Sequence, residues 1–189
     1  MPKDVSAVNM SAERYHHGDL RNALLIAALE LAAERGARAL SLREVSRRAA
    51  VSHTAAYRHF ASKEALLAEV ATEGMLELHA STSAAIARAA DPLAQLEEAG
   101  VAYVAFGAAN PERLHIMFGD LVPDLAPYPR LRDAGEAAFA VLVSVVEAGQ
   151  RAGVMAGADP RPVALAAWAQ MHGLALLVAG GKLPGAGRP

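Results

Sequence analysis

The stretch from residue 40 to residue 63 concentrates side chains that could bind a nucleic acid. Its sequence is LSLREVSRRAAVSHTAAYRHFASK, with Glu44 as its only acid. Its five basic residues are Arg43, Arg47, Arg48, Arg58 and Lys63. Guanidinium and ammonium groups neutralise phosphates, and short polar or aromatic side chains reach base edges and thymine methyl groups. The stretch therefore predicts contact with DNA.

Two short helices joined by a tight turn would position these groups. Ser41 and Glu44, three residues apart, form the capping-box pattern that starts a helix. Ala50 falls in the turn, and Ser52 starts a second helix that ends near Phe60, whose ring should point inward. Such a unit places its second helix in the major groove.

The second helix carries the polar groups nearest to its N-terminus, where base edges would be reached. Ala55 and Ala56 are small enough for the backbone to approach DNA closely. The predicted DNA-contacting residues are Arg43, Ser52, His53, Thr54, Tyr57, Arg58, His59 and Lys63. Two alternatives stay open. Tyr57 and His59 could instead pack between helices, and Arg47 and Arg48 could form a solvated face.

The segment from Asp19 to Leu67 resembles the N-terminal domain of TetR-type transcriptional regulators. The resemblance is carried by ERGARALSLREVSRRAAVS followed by HTAAYRHFASKEALL. It implies a three-helix DNA-binding domain in which Arg43 can enter the groove. Ala50 stands where the family often has Gly, and a positive φ there would cost about 1 kcal/mol. Ala55 lacks a hydroxyl often found at its position, so one phosphate contact of the family is expected to be absent.

A second group of residues lies near the C-terminus, in the sequence WAQMHG. Trp168 and His172 are four residues apart and share a helix face. The pattern resembles a subgroup of TetR-like regulators whose C-terminal domain is marked by Trp, His and Gly. Gly173 within a helix makes sense where another helix or a ligand approaches closely. The resemblance also implies a dimer interface formed by the last two long helices, 131–152 and 163–179.

The same resemblance implies an apolar effector pocket in the helical body. The tentative pocket residues are Tyr103, Phe106, Met117, Phe118, Trp168, Met171 and His172. Met and aromatic residues at helical spacing are also common in plain cores, and this alternative stays open for each of them. The proline-rich segment 119–129 is predicted to be a loop.

Periodicity and composition predict an all-α fold of about nine helices. An N-terminal three-helix domain would be followed by a helical ligand-binding and dimerisation domain. The predicted boundaries are 1–64 for DNA binding, including an arm over residues 1–17, and 65–189 for effector binding and dimerisation. In the arm, Arg14, Tyr15, His16 and Arg21 suit DNA contact, although a solvated arm is the alternative.

Charge and motifs exclude several classes of function. The net charge is −2, but residues 1–64 hold 10 Lys and Arg against 7 Asp and Glu, so the positive end should face DNA. The chain has no Cys, which removes disulfides and Cys-based metal sites. No metal or cofactor is predicted.

The N-terminus lacks a secretory apolar region, and the run 163–179 is interpreted as a buried or interface helix, so we expect a cytoplasmic protein without a membrane partner.

These features predict a homodimeric, ligand-responsive transcriptional regulator. It would bind a near-palindromic DNA operator, act more often as a repressor, and be released by a small hydrophobic effector of unknown identity. One alternative is a dimeric DNA-binding protein without an effector. The other alternative is a helical enzyme. The sequence argues against it because it contains no GxSxG, HExxH, P-loop or dinucleotide-binding motif.

Overall fold

The computed structural model describes the backbone of residues 6–183 and the side chains of residues 20–183. That part of the chain forms eight α-helices and a 3-10 turn (Ala37–Ala39), with no β-strand. The helices are α1 (Ser6–Arg35), α2 (Leu42–Arg48), α3 (His53–His59), α4 (Lys63–Ile86), α5 (Pro92–Ala109), α6 (Pro111–Phe118), α7 (Pro129–Arg151) and α8 (Pro160–Ala179). The all-α prediction is confirmed, with eight helices in the described residues where about nine were predicted.

Two compact units divide the chain. Unit 1 comprises Met1–Val70 and unit 2 comprises Ala71–Pro189. Helix α4 contributes its first two turns to unit 1 and the remainder to unit 2. The assignment of residues 1–64 to DNA binding and of 65–189 to effector binding and dimerisation concerns function, and it stays a prediction.

Unit 1 has a small apolar core to which each of its first three helices contributes. In α1, Leu24, Ala28 and Leu31 recur at helical spacing and are almost completely buried. Val45 of α2 is fully buried, and Phe60, which ends α3, points inward with 4% of its surface exposed. These contacts hold α3 by one face, so its opposite face is left to solvent.

Serine hydroxyls start three successive helices, as predicted. Ser41 Oγ accepts a hydrogen bond from the Glu44 N–H (3.3 Å), Ser52 Oγ from the Ala55 N–H (3.1 Å), and Ser62 Oγ from the Ala65 N–H (3.1 Å). Each cap satisfies a backbone donor that the helix itself cannot, which is worth about 1 kcal/mol. The caps therefore determine where α2, α3 and α4 begin.

The turn between α2 and α3 contains a strained residue. Ala50 has a φ of 54°, and it is the one non-glycine residue with a positive φ in the described residues. The turn is closed by the Val51 N–H, which donates to the Ser46 carbonyl at 3.0 Å. The left-handed conformation costs an L-residue about 1–2 kcal/mol, so the departure from glycine at this position has the cost that the sequence predicted.

Helix α1 begins earlier than predicted. The structure places Ser6 at its first residue, so the prediction of an unstructured arm over residues 1–17 is wrong for residues 6–17. No proline interrupts the chain between Pro2 and Pro92, so the backbone can continue as a helix through a segment that lacks apolar periodicity. Residues 1–5 lie outside the described part of the chain.

Prolines open four helices of the body. Pro92, Pro111, Pro129 and Pro160 occupy the first turns of α5, α6, α7 and α8. A proline is well suited to that place because its missing N–H would have no intrahelical acceptor. The predicted starts at residues 131 and 163 were therefore two and three residues too late. The predicted loop ends accordingly at residue 128.

The core of unit 2 lies where α5, α7 and α8 pack together. Leu142 and Val146 of α7 and Ala164 of α8 are its buried centre. Phe139, Trp168 and other partly buried apolar side chains surround that centre. The larger side chains at the edge of this cluster border the cavity described below.

Helix α8 is apolar but mostly uncovered within one chain. Ala164 and Ala175 are its buried residues, whereas Leu174, Leu176 and Leu177 are each more than 40% exposed. Of the two alternatives predicted for this segment, a buried helix does not describe the single chain, and an interface helix stays a prediction. Among the described residues, α8 is the one helix long and apolar enough to cross a membrane, and 11% of its apolar window is buried.

Candidate nucleic-acid interface and ligand cavity

The exposed face of α3 brings together most of the predicted DNA-contacting residues. His53, Thr54 and Arg58 are exposed, and Tyr57 has 49% of its surface in solvent. The rings of His53 and Tyr57 meet edge to face, with centroids 4.7 Å apart. Positions three and four apart in a helix are neighbours, so these side chains form a single surface. Ser52, also exposed, lies at its N-terminal end.

Two predicted contacts have a second role within the protein. Lys63 Nζ donates a hydrogen bond to the Arg38 carbonyl at 2.6 Å, which leaves two of its three N–H groups for a phosphate. His59 is half-buried, and its ring lies 6.5 Å from that of Phe60. The packing alternative left open for His59 therefore describes at least part of what its ring does.

Two arginines of α2, Arg43 and Arg48, differ in their ion pairs. Arg43 is exposed and forms no ion pair with any residue whose side chain is described. Arg48 donates to Glu30 (3.2 Å) and to Glu34 (2.7 Å), and its hydrogen bond lowers the pKa of the Glu34 carboxyl. Arg48 therefore links α2 to α1 while it remains exposed to solvent.

The arm residues contribute one described side chain. Arg21, which suited DNA contact by its type, forms an ion pair with Glu69. The side chains of Arg14, Tyr15 and His16 lie outside the described residues. Among the residues that are described, no group of three or more His, Cys, Asp or Glu could hold a metal ion.

Unit 2 contains a cavity of about 360 Å³ among α4 to α8. Its walls are almost entirely apolar. They are formed by Met75, Leu78, Thr82, Ile86, Ala99, Tyr103, Phe118, Gly135, Ala138, Phe139, Val141, Leu142, Arg161, Leu165, Trp168 and Met171. A volume of this order is what small-molecule sites in proteins provide. The cavity can therefore hold a compact apolar molecule.

Four of the seven tentative pocket residues line this cavity, namely Tyr103, Phe118, Trp168 and Met171. The other three do not. Phe106 borders a separate, more open groove, and Met117 is buried where its sulfur packs against Gly74 of α4. His172 does not line the cavity, and its Nδ1 lies 2.8 Å from the hydroxyl oxygen of Tyr103, which does. In sequence, Phe106 and Phe118 look alike, and only the packing of α5 and α6 separates them.

A chain of two hydrogen bonds lies in the cavity wall. Trp168 Nε1–H donates to the Tyr103 hydroxyl at 3.2 Å, and that hydroxyl lies 2.8 Å from His172 Nδ1. Burial lowers the pKa of His172 and raises that of Tyr103 to about 12. The Tyr103 O–H donates to Nδ1 when the His172 proton resides on Nε2, and the hydroxyl oxygen accepts from Nδ1–H in the other tautomer. The chain satisfies three polar groups and fixes their side chains.

The sequence prediction named no lining residue on α4 or α7, and on α8 it omitted Leu165 and the charged Arg161. Met75, Leu78, Thr82 and Ile86 recur at helical spacing, a signal that core and cavity walls share. Arg161 lies one turn before Leu165 and two before Trp168, on the face already singled out. Because the helix was predicted to start at residue 163, that face was not extended back to it.

Comparison with known proteins identifies both units. Residues 24–70 match the family model described as bacterial regulatory proteins, tetR family, and residues 96–189 match the model described as tetracyclin repressor-like, C-terminal domain. Trp168, His172 and Gly173 fall within the second match. No curated protein matches the chain significantly.

Solved structures resemble the whole chain. A protein with unknown function from Rhodococcus sp. RHA1 is 37% identical, with a TM-score of 0.79 over 90% of this chain and 88% of that one. A tetR-family regulatory protein from Rhodococcus RHA1 is 25% identical, with a TM-score of 0.71 over 82% and 83%. FadR from Bacillus subtilis, solved in complex with stearoyl-CoA, is 16% identical with a TM-score of 0.73 over 87% and 90%, and it shares the fold.

The capped helix-turn-helix, the separate helical body and the two family matches agree with one another. This chain belongs to the TetR family of DNA-binding transcriptional regulators.

Proposed function

We propose that the protein is a homodimeric repressor that releases its operator when a small, largely hydrophobic effector occupies the cavity of unit 2. The observation that carries the proposal is the cavity itself, a space of about 360 Å³ with apolar walls. Such a space costs packing energy in a protein with no ligand to fill it. The protein is expected to act in the cytoplasm, where its DNA is, and without catalytic chemistry.

The DNA-binding part of the proposal rests on α3. Its outward face presents His53, Thr54, Tyr57 and Arg58, while Ala55 and Ala56 leave room for the backbone to approach the groove. Arg43 adds a cation that pairs with none of the carboxylates among the described side chains. Bases would be read by the face of α3, whereas Arg43 and Lys63 would contact phosphates and set the position of the helix on the duplex.

The dimer rests on the uncovered face of α8. Ala166, Ala169 and Gly173 follow one another at helical spacing, with Leu177 one turn beyond. A Cβ atom added to Gly173 would meet nothing within 4 Å, so no helix among the described residues explains this glycine. A second copy packed closely on α8 would explain both the glycine and the exposed leucines.

Regulation would follow from a shift between two populations. A dimer places two copies of α3 in successive major grooves, roughly 34 Å apart. Each conformation of the body would set its own distance between the two recognition helices. An effector that binds one conformation more tightly increases the population of that conformation, and so of its distance between the helices. Because α4 contributes to both units, it is the element through which cavity occupancy would reach the DNA-binding unit.

Selection of DNA from a random pool tests the proposal. Purified protein is incubated with random duplexes, and the bound duplexes are recovered and sequenced over several rounds. We expect an inverted repeat with half-site centres about one helical turn apart. Enrichment of a single asymmetric site bound by one chain would contradict the dimeric arrangement, and the absence of any enriched sequence would contradict sequence-specific regulation.

A dimeric regulator without an effector is the second candidate. It is favoured by the fact that several cavity residues also pack in the core of unit 2. The cavity volume weighs against it, because a body used only for dimerisation would be expected to fill such a space with side chains.

A further inference from the structure

One charged side chain lines the otherwise apolar cavity of unit 2. Arg161, in the first turn of α8, is the only Lys, Arg, Asp or Glu among the sixteen lining residues. It is exposed, and so is Leu165 one turn further along. These two residues lie on the solvent-facing side of the cavity, whereas Tyr103, Ala99 and Leu142 form its buried side.

The guanidinium group of Arg161 lies beside an aromatic ring and away from the described carboxylates. Its Cζ lies 5.2 Å from the centroid of the Phe139 ring, a distance at which a cation is attracted to the ring face. None of the described carboxylates forms an ion pair with it. The nearest acid in sequence, Asp159, uses its Oδ1 to accept the backbone N–H of Arg161 at 3.0 Å.

The remaining polar groups of the cavity are already satisfied. Trp168 N–H, the Tyr103 hydroxyl and His172 Nδ1 bond to one another, and the Thr82 hydroxyl donates to the Leu78 carbonyl at 2.8 Å. A ligand group that seeks a strong partner therefore finds it at Arg161. The planar fork of a guanidinium matches a carboxylate with two parallel hydrogen bonds.

We propose that the effector is an amphipathic monoanion, with an apolar body inside the cavity and a carboxylate paired to Arg161 at its solvent-facing side. This inference rests on the proposed function, since it names the chemical class of the molecule that the cavity takes. Phe139 holds the guanidinium at the edge, so the anion keeps contact with water while its body is buried. A neutral molecule of the same shape gains the burial but not the ion pair.

Matched acid and alcohol probes test the inference. Decanoate is compared with decan-1-ol, and 2-naphthoate with 2-naphthalenemethanol, each below its aggregation concentration. Binding is followed through the fluorescence of Trp168, which is the only Trp of the chain and lines the cavity. In the wild type, the acid with the higher affinity is expected to bind at least about ten times more tightly than the alcohol of the same shape.

Three variants separate the contribution of the charge from that of the fold. Arg161→Gln should weaken the acid about tenfold and leave the alcohol unchanged, while Arg161→Lys should restore part of the difference. Arg132→Gln removes an exposed arginine of α7 that does not line the cavity, and it should change neither. Equal binding of acid and alcohol, or an acid that is insensitive to Arg161→Gln, would overturn the inference, as would the absence of any binding by all four probes.

A second readout distinguishes this inference from the proposed function. The affinity for the selected operator is measured with and without the acid that binds best. Arg161-dependent binding of the acid supports the inference even when operator affinity stays constant, and only the effector role of the cavity then fails. Tight binding of the alcohols together with operator release supports the effector role and overturns the carboxylate assignment.

Discussion

Single residues carry the strain and the pH sensitivity of this protein. Ala50 adopts φ 54° in the turn before α3, and His172 is a partly buried imidazole that is hydrogen-bonded to the Tyr103 hydroxyl. Each feature should affect the free energy of unfolding, and a single substitution at that residue measures the effect.

Replacing Ala50 with glycine should stabilise the protein. The substitution Ala50→Gly removes a left-handed conformation that is costly for alanine, and after the added flexibility of the unfolded chain we expect a gain of about 0.5–1 kcal/mol in the free energy of unfolding. Urea unfolding measures the change. The neighbouring Ala49, with φ −75°, is the control, because Ala49→Gly should destabilise by about 0.5–1 kcal/mol. A loss of stability in both variants would contradict the strain at Ala50.

Protonation of His172 should oppose folding. Burial lowers its pKa below the ordinary 6.5, so the unfolded chain takes up a proton at this ring more readily than the folded protein. The contribution of the neutral ring is complete above about pH 6.5 and is lost as the pH falls. The free energy of unfolding, measured in urea between about pH 7 and 5, should therefore fall more steeply for the wild type than for His172→Gln. Equal slopes would be the contrary result.

At the scale of helices, two mid-helix glycines mark surfaces with different roles. Gly135 of α7 lines the cavity, whereas Gly173 lies on the uncovered side of α8. A Cβ atom added to either would meet nothing within 4 Å. Larger side chains are therefore compatible with the fold of one chain at both positions, and each variant serves as the control for the other.

The variant Gly135→Leu should close the cavity. Its side chain would extend into the space bounded by Ala138, Phe139 and Leu142, and the binding of the hydrophobic fluorescent probe 1-anilinonaphthalene-8-sulfonate should weaken about tenfold or more. Thermal stability should be kept or increased because leucine is a better helix former than glycine. Undiminished probe binding would show that the probe does not occupy this cavity.

The variant Gly173→Leu should separate the dimer. A close helix–helix contact at the small-residue face of α8 has no room for a leucine, so light scattering at micromolar concentration should detect monomers, whereas Gly135→Leu stays dimeric. Probe binding in Gly173→Leu should resemble that of the wild type. If Gly173→Leu remained a dimer of unchanged affinity, the interface would have to lie elsewhere.

Local chemistry made much of this helical framework predictable. Serine caps at Ser41, Ser52 and Ser62 and the left-handed residue Ala50 follow from backbone requirements within four residues. The prolines that open α7 and α8 were taken for loop residues, because a proline is equally compatible with a turn and with the first turn of a helix. Cavity walls were harder to predict, since Phe106 and Phe118 differ only in which neighbours the fold brings to them.

The whole molecule combines a DNA-reading unit with a body that contains a ligand-sized space. Family membership identifies the chain as a transcriptional regulator. The proposals that it dimerises, that it represses transcription and that an effector releases it from DNA depend on the α8 face and the cavity. Their coupling requires that ligand binding and DNA affinity change each other by the same factor. A ligand that binds the cavity without altering operator affinity would leave a DNA-binding protein whose body only dimerises.

The most direct test of base recognition by α3 compares the affinity of the wild type and of Tyr57→Ala for the operator. Fluorescence anisotropy on the selected operator should show about a tenfold or greater loss for Tyr57→Ala, with the fold and oligomeric state unchanged and with affinity for unrelated DNA little affected. Tyr57→Phe separates the ring from the hydroxyl. Wild-type binding should also weaken steeply with salt. Unchanged operator affinity in Tyr57→Ala would contradict the assignment of α3 as the recognition helix.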